Sequence, residues 1–426
     1  MRIVVRAPDV SAARTALAKL AAAGVETSTG VATTAPCGGD ILVAVADGGV
    51  AEFAAHAMDS ATPPIACLLG YFEGTPPVGG AVAPFLGAIS FDAPPPLLRA
   101  QIDAWTRLAV AREERERRSA TAAALGAPAP RPYAAGASKA LYVGTPNTMF
   151  LVLERALAAE GVTLAAALSA YNSFDHLHDD VFDAVILNAA EDARAAISLC
   201  AALRRNAALF DVPTMVMTAQ GDASTAAQAL KRGACAIVET NADHMEGVGW
   251  LLQAMRRERQ RRAVGHDLRA LRDVMGDART GLWRGEAFTR HFDRLALDHR
   301  RSGRPLSLAV MRVMPAHGAR TPSHESWTRA FSEVATMVGR LARESDCAAA
   351  IGADLIVVAL PAADRKAAVR TCARIASVAE CTAFVSSEDS APLVFEQCAV
   401  ELQPSESGRA LLTRALRALD VERIPA

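Results

Sequence analysis

Residues 1–125 and 139–262 repeat one pattern, in which short, uninterrupted apolar runs alternate with longer stretches whose apolar side chains recur at helical spacing. The runs are 2–5, 40–46, 65–69 and 88–91 in the first repeat, with a helix over 12–23. In the second they are 141–144, 183–188, 214–218 and 236–239. Continuous rather than alternating apolar runs mean strands buried on both faces, as in a parallel sheet covered by helices on each side. The pattern therefore predicts tandem doubly wound α/β domains. Each repeat ends in a long, charge-rich helix. One starts near Pro96 and enters the run Arg112-Glu-Glu-Arg-Glu-Arg-Arg118; the other covers 246–262 and continues as a connecting helix over 263–276. Residues 126–138, rich in Pro, Ala and Gly, read as a linker.

Composition narrows the function classes. The formal net charge is −1, so no global field draws the chain to nucleic acid or an anionic membrane. The 8 cysteines are scattered without a CxxC pair, as in a reducing compartment. The chain enters its first strand without a signal-peptide pattern, and no apolar run approaches the ~18 residues that would span a bilayer. A cytoplasmic protein without membrane insertion is expected.

The repeats resemble the receiver domains of two-component response regulators, which are flavodoxin-like. Phosphorylation in that family uses an acidic pair after strand 1, an aspartate ending strand 3 and a lysine after strand 5. Mg²⁺ needs oxygen ligands, and the phosphoryl charge needs a cation. Here Val45 and Asn188 stand at the two acceptor positions, Thr145-Pro146-Asn147 replaces the second acidic pair, and Thr240 replaces the lysine. Thr218 alone remains of the second repeat's switch residues. Neither valine nor an amide accepts phosphate, so the resemblance implies no phosphoacceptor there. Asp47, two residues beyond Val45, is the alternative acceptor if a bulge re-aims it.

Residues 277–426 carry a different resemblance. Asp277-Ala-Arg-Thr-Gly-Leu-Trp-Arg-Gly-Glu-Ala-Phe288 resembles the DxLTGLxNRRxF opening of GGDEF domains, and Gly352-Ala-Asp-Leu-Ile356 stands where GGDEF itself would. The resemblance implies an α+β, nucleotidyl-cyclase-like domain. A diguanylate cyclase holds divalent cations against two GTP triphosphates with acidic residues on the first strand and at the third and fourth motif positions. Here Arg312 and Met314 occupy the first-strand positions, and Ala353, Asp354 and Leu355 follow the motif's first glycine. One carboxylate cannot build that cage. Ala410-Leu-Leu-Thr-Arg-Ala415 also lacks the family's phosphate-binding lysine. The resemblance thus implies a degenerate domain with no catalysis, no metal and no cofactor.

It also implies a ligand. Arg343-x-x-Asp346 precedes the motif position at the spacing of the family's inhibitory site, which binds c-di-GMP. Three further RxxD copies, Arg6/Asp9, Arg290/Asp293 and Arg417/Asp420, lack that spacing. An arginine fork can donate to guanine O6 and N7, and a carboxylate can accept from N1–H and the N2 amine. A turn between helix and hairpin is expected to put both side chains on one exposed surface, with Arg374, or alternatively Arg370, completing the site. Trp327 and Phe331 read as core residues, His317 and His324 as loop or exposed helix, and Cys347 as non-catalytic. Receivers followed by a degenerate GGDEF domain resemble c-di-GMP effectors of the cell cycle. That implies protein partners, namely proteolysis adaptors and a transcription regulator, recruitment to a cell pole, and no nucleic acid. Apolar faces on the long helices could pair two subunits into a homodimer. The alternatives are an active cyclase with unconventional ligands and a scaffold that binds no nucleotide.

Overall fold

The computed structural model describes residues 3–31, 41–46, 54, 57–58, 64–72, 85–240, 244–316, 321–381 and 393–421. The first repeat forms a parallel sheet of β1 (Ile3–Arg6), β2 (Thr27–Val31), β3 (Ile41–Val45), β4 (Ala66–Tyr71) and β5 (Phe85–Ser90), in the order β2-β1-β3-β4-β5. The second uses β6 (Ser138–Val143), β7 (Val162–Ala167), β8 (Ala184–Asn188), β9 (Thr214–Thr218) and β10 (Ala236–Glu239), in the equivalent order β7-β6-β8-β9-β10. Both are the doubly wound, flavodoxin-like order. β3, β8 and β9 are buried along their whole length, as their continuous apolar runs require.

Helices α1 (Val10–Ala22) and α2 (Pro95–Ala124) belong to the first repeat; α3 (Thr148–Ala158), α4 (Ala170–Asp179), α5 (Ala193–Arg205), α6 (Ala223–Lys231) and α7 (His244–Met275) follow. Their starts are written locally. Asp9, Asn147, Ser169, Asp192 and Asp222 each accept, through the side chain, the backbone N–H three residues on. The Asp9 of one stray RxxD copy is thereby an N-cap. β2 and β7 lie outside the sequence expectation for a simple reason. They edge their sheets, and Thr27-Ser-Thr-Gly-Val31 and Val162-Thr-Leu-Ala-Ala-Ala167 are not continuous apolar runs.

The C-terminal α+β domain has an antiparallel sheet of β11 (Leu306–Pro315), β12 (Cys347–Ala350), β13 (Leu355–Pro361) and β14 (Leu393–Glu401), in the order β12-β13-β11-β14. Alternate residues of β11 feed two cores. Leu306, Leu308 and Val310 pack with Phe288 and Phe292 of α8 (Gly285–Ser302) and Leu411 of α11 (Gly408–Val421). Ala309, Met311 and Val313 pack with Phe331 and Val334 of α9 (His324–Leu341) and Ile375 of α10 (Arg365–Glu380).

Contacts divide the chain into two compact units. One holds both parallel sheets, within residues 2–109 and 134–263; the other holds residues 110–133 and 264–426. The C-terminal half of α2 therefore packs with the antiparallel sheet. Its charged run is no solvated face: Glu114 is 0%, Arg117 5% and Arg118 1% exposed. Among the described residues no helix is long and apolar enough to cross a membrane.

In the first parallel domain, Trp105 of α2 lies against the backbone of β5 and donates its indole N–H to the Ala88 carbonyl at 3.0 Å. A Cβ on Gly87 would come within 2.1 Å of that ring. Gly87→Ala is expected to displace Trp105 and destabilise the domain by about 1–3 kcal/mol. Denaturant unfolding followed by tryptophan fluorescence checks this.

Candidate functional site: an arginine-lined pocket

The turn after α9 closes on itself. The Arg343 N–H donates to Asp346 Oδ2 at 2.9 Å, and the Asp346 N–H donates back to the Arg343 carbonyl at 2.9 Å. These bonds place Arg343 and Asp346 at the rim of a cavity of about 250 Å³ that Arg118, Arg269, Arg272 and Arg340 also line. The shared exposed surface expected from the sequence forms only in part. Arg343 is exposed, but Asp346 is 7% exposed because its carboxylate folds inward to hold the turn. Burial pushes the Asp346 carboxyl up to about 6, against the Arg343 N–H and the charges of Arg343 and Arg118. Its Oδ1 makes no hydrogen bond to the described residues. Arg269 pairs with Glu344 at the same rim.

Arg374 is exposed on α10 and donates to the Leu341 carbonyl at 3.0 Å, two residues before Arg343. It stands next to the turn without lining the cavity. Arg370, one turn earlier, is also exposed.

The GGDEF-like segment is the hairpin between β12 and β13, closed by the Ile351 N–H on the Leu355 carbonyl at 3.1 Å. Arg312 pairs with Leu355 in register across β11 and β13. Its guanidinium donates to Glu396 at 3.1 Å and Asp420 at 2.8 Å, and lies 3.8 Å from Asp354. Its hydrogen bonds to Asp420 and then to Glu396 raise the Arg312 pKa. A fixed internal cation thus serves these three carboxylates, and it repels a second cation. Met314, farther along β11, is opposite Val394. Arg414, in the late motif, is paired with Glu406 at 2.7 Å.

A second cavity, of about 470 Å³, opens beside this hairpin, between Asp277, Arg284, His324, Trp327 and Ala353. Trp327 is only half-buried, and its indole N–H donates to the Ala353 carbonyl at 3.0 Å; Phe331 is buried in the core. Gly281, in the opening motif, takes φ 67°, the left-handed region where glycine is unstrained. His324 and Glu325 are exposed at the start of α9, and His317 lies outside the described residues. Cys347 is fully buried, which holds its thiol neutral.

In the parallel domains, Val45 and Asn188 end β3 and β8 as buried residues; Asp47 lies outside the described residues. Asn188 donates to Tyr142 Oη at 3.0 Å and to Glu191 at 3.2 Å, and Glu191 accepts from the Thr145 N–H at 2.9 Å. Asn147 caps α3, and the Thr240 N–H donates to the Thr218 carbonyl.

Several participants had no local signal. Glu396 and Asp420 meet Arg312 only through strand register and helix packing, and Arg118 and Arg269 reach the pocket from other elements. Asp420 sits in another stray RxxD copy.

Neither a scan against family models nor a search of curated proteins gives a match. Solved structures resemble parts of the chain. The GGDEF domain of DgcB from Caulobacter crescentus, in complex with c-di-GMP, has 21% identity and a TM-score of 0.31, covering 35% of this chain and 88% of its own. The FimX GGDEF domain from Pseudomonas aeruginosa has 17% identity and a TM-score of 0.31, over 34% of this chain and 92% of its own. A signal receiver domain of an HD domain-containing protein from Pseudomonas fluorescens has 20% identity and a TM-score of 0.28, over 31% and 96%.

Because the Asp346 carboxyl is raised from 3.8 to about 6 in the folded state, it favours folding below the unfolded value and loses that contribution as pH rises through about 6. The swing is about 3 kcal/mol. Asp346→Asn, which keeps an acceptor for the Arg343 N–H, is expected to gain stability relative to wild type between pH 4 and pH 7 by roughly that amount. Urea unfolding of both proteins at the two pH values checks the sign.

Proposed function

We propose that the protein is a catalytically inactive c-di-GMP effector, which couples the level of the messenger to recruitment of protein partners. The observation that supports binding is the convergence of Arg343, three further arginines not tied to Glu114 and the open Asp346 Oδ1 on one pocket. The arginine forks suit guanine O6/N7 and phosphate oxygens, and the carboxylate oxygen suits a guanine N–H edge. At about 250 Å³ the cavity is below the usual ligand range of roughly 300–1,000 Å³, so it would take one end of the dinucleotide, with Arg374 beside the other. Support for inactivity comes from Arg312, whose guanidinium stands among Asp354, Glu396 and Asp420. A metal-ion cluster for two triphosphates would have to displace it.

The order of two receiver-like domains and a GGDEF-like domain resembles the cell-cycle effector PopA. That resemblance implies recruitment of proteolysis adaptors and a transcription regulator, at a cell pole in the cytoplasm, by a homodimer. The messenger would act by binding one arrangement of the molecule better than another.

Calorimetric titration with c-di-GMP is expected to give binding heat for wild type, and Arg343→Ala to weaken the affinity about tenfold or more. No heat from wild type would favour a nucleotide-independent scaffold. Incubation of the purified protein with GTP and Mg²⁺ is expected to yield no c-di-GMP; any product would mean an active cyclase with unconventional ligands.

A further inference from the structure

The pocket turn is held from below by a helix that the GGDEF-like segment does not contain. Arg118, on the C-terminal half of α2, donates through Nη2 to the Asp346 backbone carbonyl at 2.8 Å and through Nε to Glu114 at 2.8 Å. Its guanidinium also lies 5.3 Å from the Trp283 ring centroid. Glu114 is in turn 2.8 Å from His291 Nε2 on α8, and Thr121 Oγ1 is 3.2 Å from His291 Nδ1. Arg118, Glu114, His291 and Thr121 are each at most 1% exposed. Burial would raise the Glu114 carboxyl, but His291 and Arg118 beside it bring it down to about 2, so it stays ionised. Around this centre, Arg117 pairs with Glu113 at 2.7 Å and Asp298 at 3.0 Å, and Arg304 pairs with Glu113.

We propose that Arg118 is a positioning residue for the Arg343 pocket, so that order in the turn 343–346 depends on α2 being seated in this domain through Glu114 and His291. The geometry fits that role. Asp346 is pinned at three atoms: its carbonyl by Arg118, its N–H by the Arg343 carbonyl, and its Oδ2 by the Arg343 N–H. Only the first bond comes from outside the turn, and it is charge-assisted, the stronger kind. Without it the remaining two hold a four-residue loop on its own. At 1% exposure Arg118 is too buried to be a principal ligand contact. It sets where Arg343 and the open carboxylate oxygen stand. The consequence for affinity rests on the c-di-GMP reading; the positioning itself does not.

The test uses the full chain and two measurements. Hydrogen exchange of the free protein reads the turn directly. Arg118→Ala is expected to speed exchange at the Arg343 and Asp346 amides about tenfold, while β11 amides keep their wild-type rates. Titration with c-di-GMP is then expected to show affinity about tenfold weaker. If Arg118→Ala does not fold, Arg118→Lys keeps the charge without the fork and cannot reach both Glu114 and the Asp346 carbonyl, so the same local acceleration is expected. Turn rates within twofold of wild type in the folded variant would overturn the proposal, whatever the ligand does. Faster turn exchange in a protein whose wild type gives no heat with c-di-GMP would support positioning and overturn the messenger reading instead.

Discussion

A carboxylate with no access to water organises the C-terminal unit. Glu114 is ionised and fully buried, and an unpaired charge in such a place would cost several kcal/mol. It is therefore committed to Arg118 and His291, and each commitment fixes something else. Arg118 is held over the Trp283 ring with Nη2 on the Asp346 carbonyl, and His291 ties α8 to α2. A hydrophobic seam could slide by a fraction of a turn. A buried ionic one tolerates little displacement, because any shift leaves a charge unpaired.

The same unit uses a second internal cation in the opposite sense. Arg312 stands on the central strand of the antiparallel sheet, where three carboxylates from a hairpin, an edge strand and the last helix converge. Without it those carboxylates would repel one another. With it the local charge is satisfied by the chain itself. One arginine thus pairs with carboxylates from three elements, while Arg343 and its neighbours line a separate cavity. The two features are compatible with a domain that keeps a recognition surface after losing the requirements of turnover, the reading proposed above.

Asp346 shows how much a single buried atom set can change the meaning of a motif. Spacing alone makes it an exposed partner of Arg343. In the folded chain Oδ2 is a structural acceptor for the Arg343 N–H, and the side chain is buried at the cavity wall. The raised carboxyl follows from that burial. Asp9 and Asp420 carry the same RxxD signature and do unrelated work, one as a helix cap and one as a partner of Arg312. The pattern becomes informative only together with its place in the fold.

The sequence by itself determined the two parallel sheets and the run of elements that follows them. Continuous apolar runs can be buried only between two layers of helix, and five described helix starts in the parallel domains carry their own capping side chains. It also determined which chemical groups stand at the positions the resemblance singles out: Arg312, Leu355, Asn188 and Val45. The edge strands β2 and β7 carry no such signal because a strand with a half-open flank needs no apolar run. Only the tertiary structure decided that the run 112–118 is interior rather than solvated, that Asp346 turns inward, and that Glu396 and Asp420 meet Arg312. Those outcomes depend on residues far apart in the chain sharing a space with no water in it. Burial changes the energy of a charge far more than any neighbour in sequence does, and burial is a property of the assembled fold.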